Sequence, residues 1–122
     1  MLNKKKTLIL GASENPERYA NKACHSLIHH GYEVVMIGNK EGAIDKIAIH
    51  KGTPTFDEID TVTLYLNPKN QESYYNYILS LKPNRIIFNP GTENPKFEKM
   101  AKINGIETTE ACTLVLLSIG QY

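Results

Sequence analysis

Apolar residues in this chain come in short runs, separated by longer stretches that are apolar on one side only. Leu8, Ile9 and Leu10 run together and stop at Gly11. A run of that length closed by a turn residue predicts a strand buried on both faces of a parallel sheet. Further strands are predicted at residues 34–37, 61–66, 85–89 and 106–109. Between the first two runs, Tyr19, Ala20, Ala23, Cys24, Leu27 and Ile28 recur at helical spacing and predict one buried helix face. That helix is expected to start with Asn15 as N-cap and Pro16 at its first position, and to stop at Gly31. A second helix is predicted over about 69–81, with Tyr74, Tyr77, Ile78 and Leu81 inward and Pro83 after its end. A third spans about 94–104, stopped by Gly105, and a last apolar helix covers 112–119. Residues 41–60 carry the weakest pattern. Within them 46–50 alternates as a short edge strand would, and 51–54 reads as a turn.

Strands and helices thus alternate from end to end. The expected fold is α/β: a doubly wound, mainly parallel five-stranded sheet with helices on both faces. Residues 1–122 make a single domain, long enough for a core without staples. In such a sheet a ligand lies beyond the carboxyl ends of the strands, at the switch point. Four segments fall there: Gly11-Ala12-Ser13, Gly38-Asn39-Lys40, Asn67-Pro68 and Asn89-Pro90-Gly91-Thr92. All are small or polar, as contact with a polar ligand requires.

The first of them, between a buried strand and a helix start, is a mononucleotide-type phosphate site. Gly11 lets the backbone come close, and unpaired N–H groups of the helix start face an anion. It is not the dinucleotide fingerprint G-x-G-x-x-G, because Ser13 and Pro16 occupy its second and third glycine positions, and no Gly-Lys-Ser/Thr makes a Walker loop. The plain alternative is a strand–turn–helix junction with no ligand.

Charged residues make up 22% and the net charge is +1, so no global field recruits nucleic acid or an anionic membrane. Lys4-Lys5-Lys6 before an apolar run resembles the start of a signal peptide, but Gly11 ends the run too soon. Two cysteines are too few for a disulfide framework and point to a reducing compartment. The expectation is a soluble cytoplasmic domain.

The end of the second strand bears on ligand class. An NAD site places Asp or Glu there for the ribose diol, whereas this chain has Asn39-Lys40. A lysine suits an extra ribose phosphate, hence coenzyme A or NADP; a solvated loop lysine is the alternative. Arg18, expected in the first helical turn, is suited to a diphosphate, while Tyr19 reads as core. Cys112, at a helix start, has the position of a reactive thiol but the neighbours of a packing residue. His25 and His29 are one turn apart with no third ligand in evidence, so no metal is expected. Tyr65, Tyr74, Tyr75 and Tyr77 are either base-stacking or packing residues.

Taken in order, the stretches Gly11-Ala12-Ser13 with Pro16 and Arg18, Gly31-Tyr32-Glu33-Val34, Asn39-Lys40, Asn89-Pro90-Gly91-Thr92, Asn104-Gly105-Ile106 and Glu110-Ala111-Cys112-Thr113 make the whole chain resemble the small stand-alone CoA-binding domain proteins. These are related to the N-terminal domain of the succinyl-CoA synthetase alpha subunit. The resemblance implies a Rossmann-like fold that binds coenzyme A through its ADP portion. It implies phosphate contacts from Gly11, Ala12, Ser13 and Arg18, and ribose or base contacts near Asn39, Lys40, Asn67 and Pro68. The family's usual Asn-Pro-Lys lacks its proline here. The synthetase's catalytic histidine belongs to a domain outside this sequence, so ligase activity does not carry over. The expected role is that of a non-catalytic sensor, carrier or partner subunit, with a protein partner or a second copy of the chain possible. An NADP-dependent protein or a ligand-free interaction domain are the rival readings.

Overall fold

The computed structural model describes residues 5–122; Lys4, the first of the basic run, lies outside them. Seven strands form one sheet: β1 (Thr7–Leu10), β2 (Val34–Ile37), β3 (Gly42–Ile44), β4 (Ile47–His50), β5 (Thr61–Leu64), β6 (Arg85–Phe88) and β7 (Glu107–Glu110). Their order is β3-β4-β2-β1-β5-β6-β7, and every pairing is parallel except the β3–β4 hairpin. Without β3 this is the Rossmann order 3-2-1-4-5-6, with its reversal between β1 and β5.

The expected five strands become seven because residues 42–50 fold into a hairpin. Residues 47–50 are a strand as read, but an inner one, pairing with β2 on one side and β3 on the other. Its turn is Asp45-Lys46, both at positive φ (52° and 70°). Hairpin turns of that shape usually carry Asn or Gly, so the sequence gives no turn signal there.

The helices are α1 (Tyr19–His29), α2 (Pro68–Gln71), α3 (Tyr75–Leu81), α4 (Pro95–Ile103) and α5 (Thr113–Ser118). Strand alternation sends side chains to two cores. Leu8 and Leu10 join Val62, Leu64, Ile86 and Phe88 beneath Ile78 of α3 and Phe97 and Ala101 of α4. Ile9 joins Met36 and Ile87 on the other face, beneath Ala20, Cys24 and Leu27 of α1 and Leu117 of α5. The doubly wound expectation therefore holds.

Two helix readings need correction. The stretch expected as one helix from 69 to 81 is α2, a 3₁₀ turn over Glu72–Tyr74, and α3. Helix α1 starts at Tyr19, not after Asn15. The Asn15 carbonyl accepts from Arg18 N at 3.0 Å and its side-chain oxygen from Glu17 N at 3.0 Å. This closes a separate turn. Arg18 then returns to extended backbone (ψ 140°) as the N-cap. Tyr19, expected in the core, is 67% exposed at the helix start.

Candidate functional site

The carboxyl ends of β1, β2 and β5 open into a cleft of about 510 Å³ at the switch point. Its floor is the β1 turn laid across the end of β2. The N–H groups of Gly11 and Ala12 both donate to the Ile37 carbonyl at 2.9 Å. On the β2 side, a Cβ at Gly38 would stand 2.4 Å from the Ala12 carbonyl oxygen. Only a glycine lets the two strand ends close into one floor. Gly11 is needed for a related reason: its φ is +102°, and a Cβ there would meet the Tyr65 backbone at 3.0 Å. Its freedom serves the sheet as well as any ligand, a correction to its reading as a point of ligand approach alone.

Ser13 is held from both sides. Its hydroxyl accepts from Asn15 N at 3.1 Å, and its carbonyl accepts from Asn21 Nδ2 at 3.0 Å. Asn21 is buried in α1, so the helix carries the turn rigidly. The Ser13 N–H has no partner among the described residues, nor do the Tyr19 and Ala20 N–H groups at the helix start. Arg18 lines the cleft, exposed, and its guanidinium has no carboxylate or hydrogen-bond partner among the described residues. An unpaired guanidinium beside free N–H groups is an anion-receptive arrangement.

Of the residues named from the sequence, Gly11, Ala12, Ser13, Arg18 and Asn39 come together in this cleft. Lys40 lies next door, exposed, in a recess of about 240 Å³ shared with Asn39, Glu14 and Glu41. The Glu14 carboxylate there accepts from Ala43 N at 2.9 Å, tying the β1 turn to the hairpin. Asn67 and Pro68 do not line the cleft. Asn67 caps α2 by accepting from Asn70 N at 2.9 Å. The wall itself is Leu66, Asn70, Ser73 and Tyr74, none singled out as cleft residues from the sequence except Tyr74 as a stacking candidate. Asn70 and Ser73 are placed there by the α2 cap, which Asn67-Pro68 signals, and by the 3₁₀ turn, which carries no sequence signal of its own.

Asn89 and Gly91 do not join the cleft. Asn89 is buried, and its side chain is fully spent: Nδ2 donates to Thr63 Oγ1 (2.7 Å) and the Leu64 carbonyl (2.9 Å), and Oδ1 accepts from Thr113 N (2.9 Å). Gly91 is exposed at φ +91°, shaping the turn after β6. Gln71, unread in the sequence, is the companion brace. It is fully buried, and its amide nitrogen donates to the Leu66 and Thr92 carbonyls, both at 2.8 Å.

The other candidates disperse. Tyr75 stacks on Phe97 with ring centroids 4.4 Å apart, and Tyr77 donates to the Pro54 carbonyl at 2.7 Å. Burial pushes the Tyr65 hydroxyl up to about 12. His25 Nδ1 is 3.8 Å from the Asp45 carboxylate, and His29 meets His30 edge-on. Among the described residues no three His, Cys, Asp or Glu side chains are grouped to hold a metal. Cys24 is fully buried, its thiol pushed up to about 11 by that burial. Cys112, read as a packing residue, is only half-buried as N-cap of the six-residue α5, and lines a second pocket. No helix among the described residues is long and apolar enough to cross a membrane.

A protein-family model described as a CoA binding domain matches residues 5–118. The chain belongs to the CoA binding domain family. No curated protein matches it. Among solved structures, an uncharacterized protein is 52% identical with a TM-score of 0.95, over 97% of this chain and 98% of its own. A hypothetical protein from Pyrococcus horikoshii OT3 is 25% identical, TM-score 0.81, over 92% of this chain and 81% of its own. The acetyl-coenzyme A synthetase 1 of Ca. Korarchaeum cryptofilum, solved with phosphate and ADP, shares the fold at 14% identity. Its TM-score is 0.71, over 90% of this chain but 26% of that one. This CoA binding domain thus has the fold of a domain within a much larger enzyme.

Proposed function

We propose that the protein binds coenzyme A through its ADP portion in the cleft at the ends of β1, β2 and β5. One observation carries the reading: in a member of the CoA binding domain family, the switch-point cleft holds an unpaired Arg18 guanidinium together with the free N–H group of Ser13. The donor set fits the group. Ser13 N–H and the Arg18 guanidinium meet the diphosphate, Asn39 and Asn70 face the ribose, and Tyr74 offers a ring to the base. Lys40, one residue beyond the cleft wall, meets the 3′-phosphate. The bound cofactor would supply its thiol, or an acyl thioester on it. The chain's part is to bind and orient it, as a sensor, carrier or partner subunit rather than a catalyst on its own.

Calorimetric titration with CoA, dephospho-CoA and NADP tests this. Wild type should prefer CoA to dephospho-CoA by about 1–2 kcal/mol, as a partly exposed charge-assisted contact gives. Lys40→Ala should erase that preference, and Arg18→Ala should weaken both ligands alike. NADP binding as tightly as CoA, or no CoA binding at all, would refute the assignment. Variants at Gly11 are unsuitable, since a side chain there strains the fold before it meets a ligand.

A further inference from the structure

Beside the cleft lies a smaller pocket of about 240 Å³, walled by Tyr19, Tyr65, Asn89, Pro90 and Cys112. A ridge only two residues wide separates the two. Arg18 and Leu66 face the cleft, while their chain neighbours Tyr19 and Tyr65 face the pocket. The chemistry reverses across this ridge. The cleft offers a guanidinium, a serine and amides, whereas the pocket offers two phenol rings, a proline ring and a thiol, with no charged side chain. Its single amide, Asn89, has its hydrogen-bonding capacity spent inside the fold. Tyr19 stands at the rim, 67% exposed, with Lys22 Nζ 5.4 Å from its ring centre. An exposed aromatic over an apolar hollow is a surface suited to an apolar guest.

Resting on the CoA reading above, we infer that this pocket receives the sulfur end of the bound cofactor and holds a short apolar acyl group on it, making a short-chain acyl thioester the preferred ligand. The path is set by the sheet. The cleft is centred on the ends of β1 and β2, and the pocket on residues that follow β5, β6 and β7. From β2 to β6 is three strand spacings, about 14 Å, a span that the extended two-amide arm of CoA crosses. The pocket's small volume limits the guest to a few carbons.

Titration of the intact protein with 3′-phospho-ADP, CoA, acetyl-CoA and butyryl-CoA tests the inference. The first probe lacks the arm and reports the ADP site alone. Butyryl-CoA should bind about tenfold more tightly than acetyl-CoA, from two further buried methylenes. Cys112→Leu, which fills the pocket, and Tyr19→Ala, which removes an exposed wall, should each abolish that preference and leave 3′-phospho-ADP unchanged. Equal affinity for CoA, acetyl-CoA and butyryl-CoA in a wild type that binds 3′-phospho-ADP would overturn the acyl pocket and leave the ADP site standing. Failure of every probe to bind would overturn both.

Discussion

Replacing Asn89 with alanine separates bracing from ligand contact at a residue that sits at a strand end but faces inward. Its side chain joins three elements: β5 through Thr63 and Leu64, β6 through its own backbone, and the start of α5 through Thr113 N. Loss of the two donated hydrogen bonds removes about 1 kcal/mol each. Thr63 keeps a partner, because its hydroxyl is also bonded to Thr113 Oγ1 at 2.8 Å. Thr113 N–H does not: it is left without its acceptor at a residue that is fully buried, which costs a further 1–3 kcal/mol or so. The variant should therefore be destabilised by about 3–5 kcal/mol, a large part of the stability of a small domain. With a urea slope of about 1.5–2 kcal/mol/M, the unfolding midpoint should fall by roughly 2 M. CoA affinity, measured on the folded fraction in the cold, should change less than about threefold. A midpoint within about 0.3 M of wild type together with a tenfold loss of CoA affinity would refute the bracing role and return Asn89 to the ligand.

Glycine variants should split sharply: Gly38→Ala drives a Cβ to 2.4 Å from the Ala12 carbonyl and should prevent folding or cost several kcal/mol. Gly91→Ala, with nothing within 4 Å, should cost only about 1 kcal/mol for its positive φ and spare CoA binding; thermal melts compare them. Desolvation, then the neighbouring Glu110 carboxyl, holds the Glu98 carboxyl above the usual glutamate range. A raised acid favours the native state when protonated, so this contribution is present below the unfolded pKa and lost as pH rises through the folded one. Glu98→Gln should thus raise Tm relative to wild type more at pH 7 than below about pH 4, and an equal shift at both would exclude the effect. Thiol labelling of the native protein at pH 8 should modify Cys112 and spare Cys24, whose thiol is fully buried and pushed up to about 11; mass spectrometry of the peptides reads it, and rapid Cys24 modification would contradict the burial.

The fold was legible where burial alone sets the pattern. Strands β1, β2, β5 and β6 lie inside the sheet, with helices on both faces, so apart from Arg85 at the start of β6 their residues are apolar or small, and they stop at turn residues. The hairpin of β3 and β4 was half-legible. Ile47 and Ile49 alternate with exposed neighbours, but Lys46, where the turn usually has Gly, adopts positive φ beside Asp45. A turn whose strain is borne by tertiary pairing leaves no local signature. Helix α1 failed at its start for a related reason: Asn15-Pro16 has the composition of a helix cap, and the same composition makes a closed turn when the next residue returns to extended backbone. Tyr19 is in phase with Ala23 and Leu27, but as the first residue of α1 it lies past the end of the packed face and is exposed.

The site divides along the same line. Gly11, Ala12, Ser13 and Asn39 lie at the ends of β1 and β2, where the parallel register brings both strands to the same level, so position along the sequence implies position in the cleft. The rule weakens one strand past the reversal. The end of β6 faces the start of α5, whose unpaired N–H needs an acceptor, and Asn89 turns inward to supply it. The opposite wall was hidden by a change of helical period. Over Glu72–Tyr74 the chain winds as a 3₁₀ turn, about 120° per residue instead of 100°. Three residues at that pitch move the following side chains by about 60° from their α-helical phase. A uniform period of 3.6 therefore sends Tyr74 wholly to the core, whereas the altered winding leaves it half-buried, one side on the core and the other on the cleft.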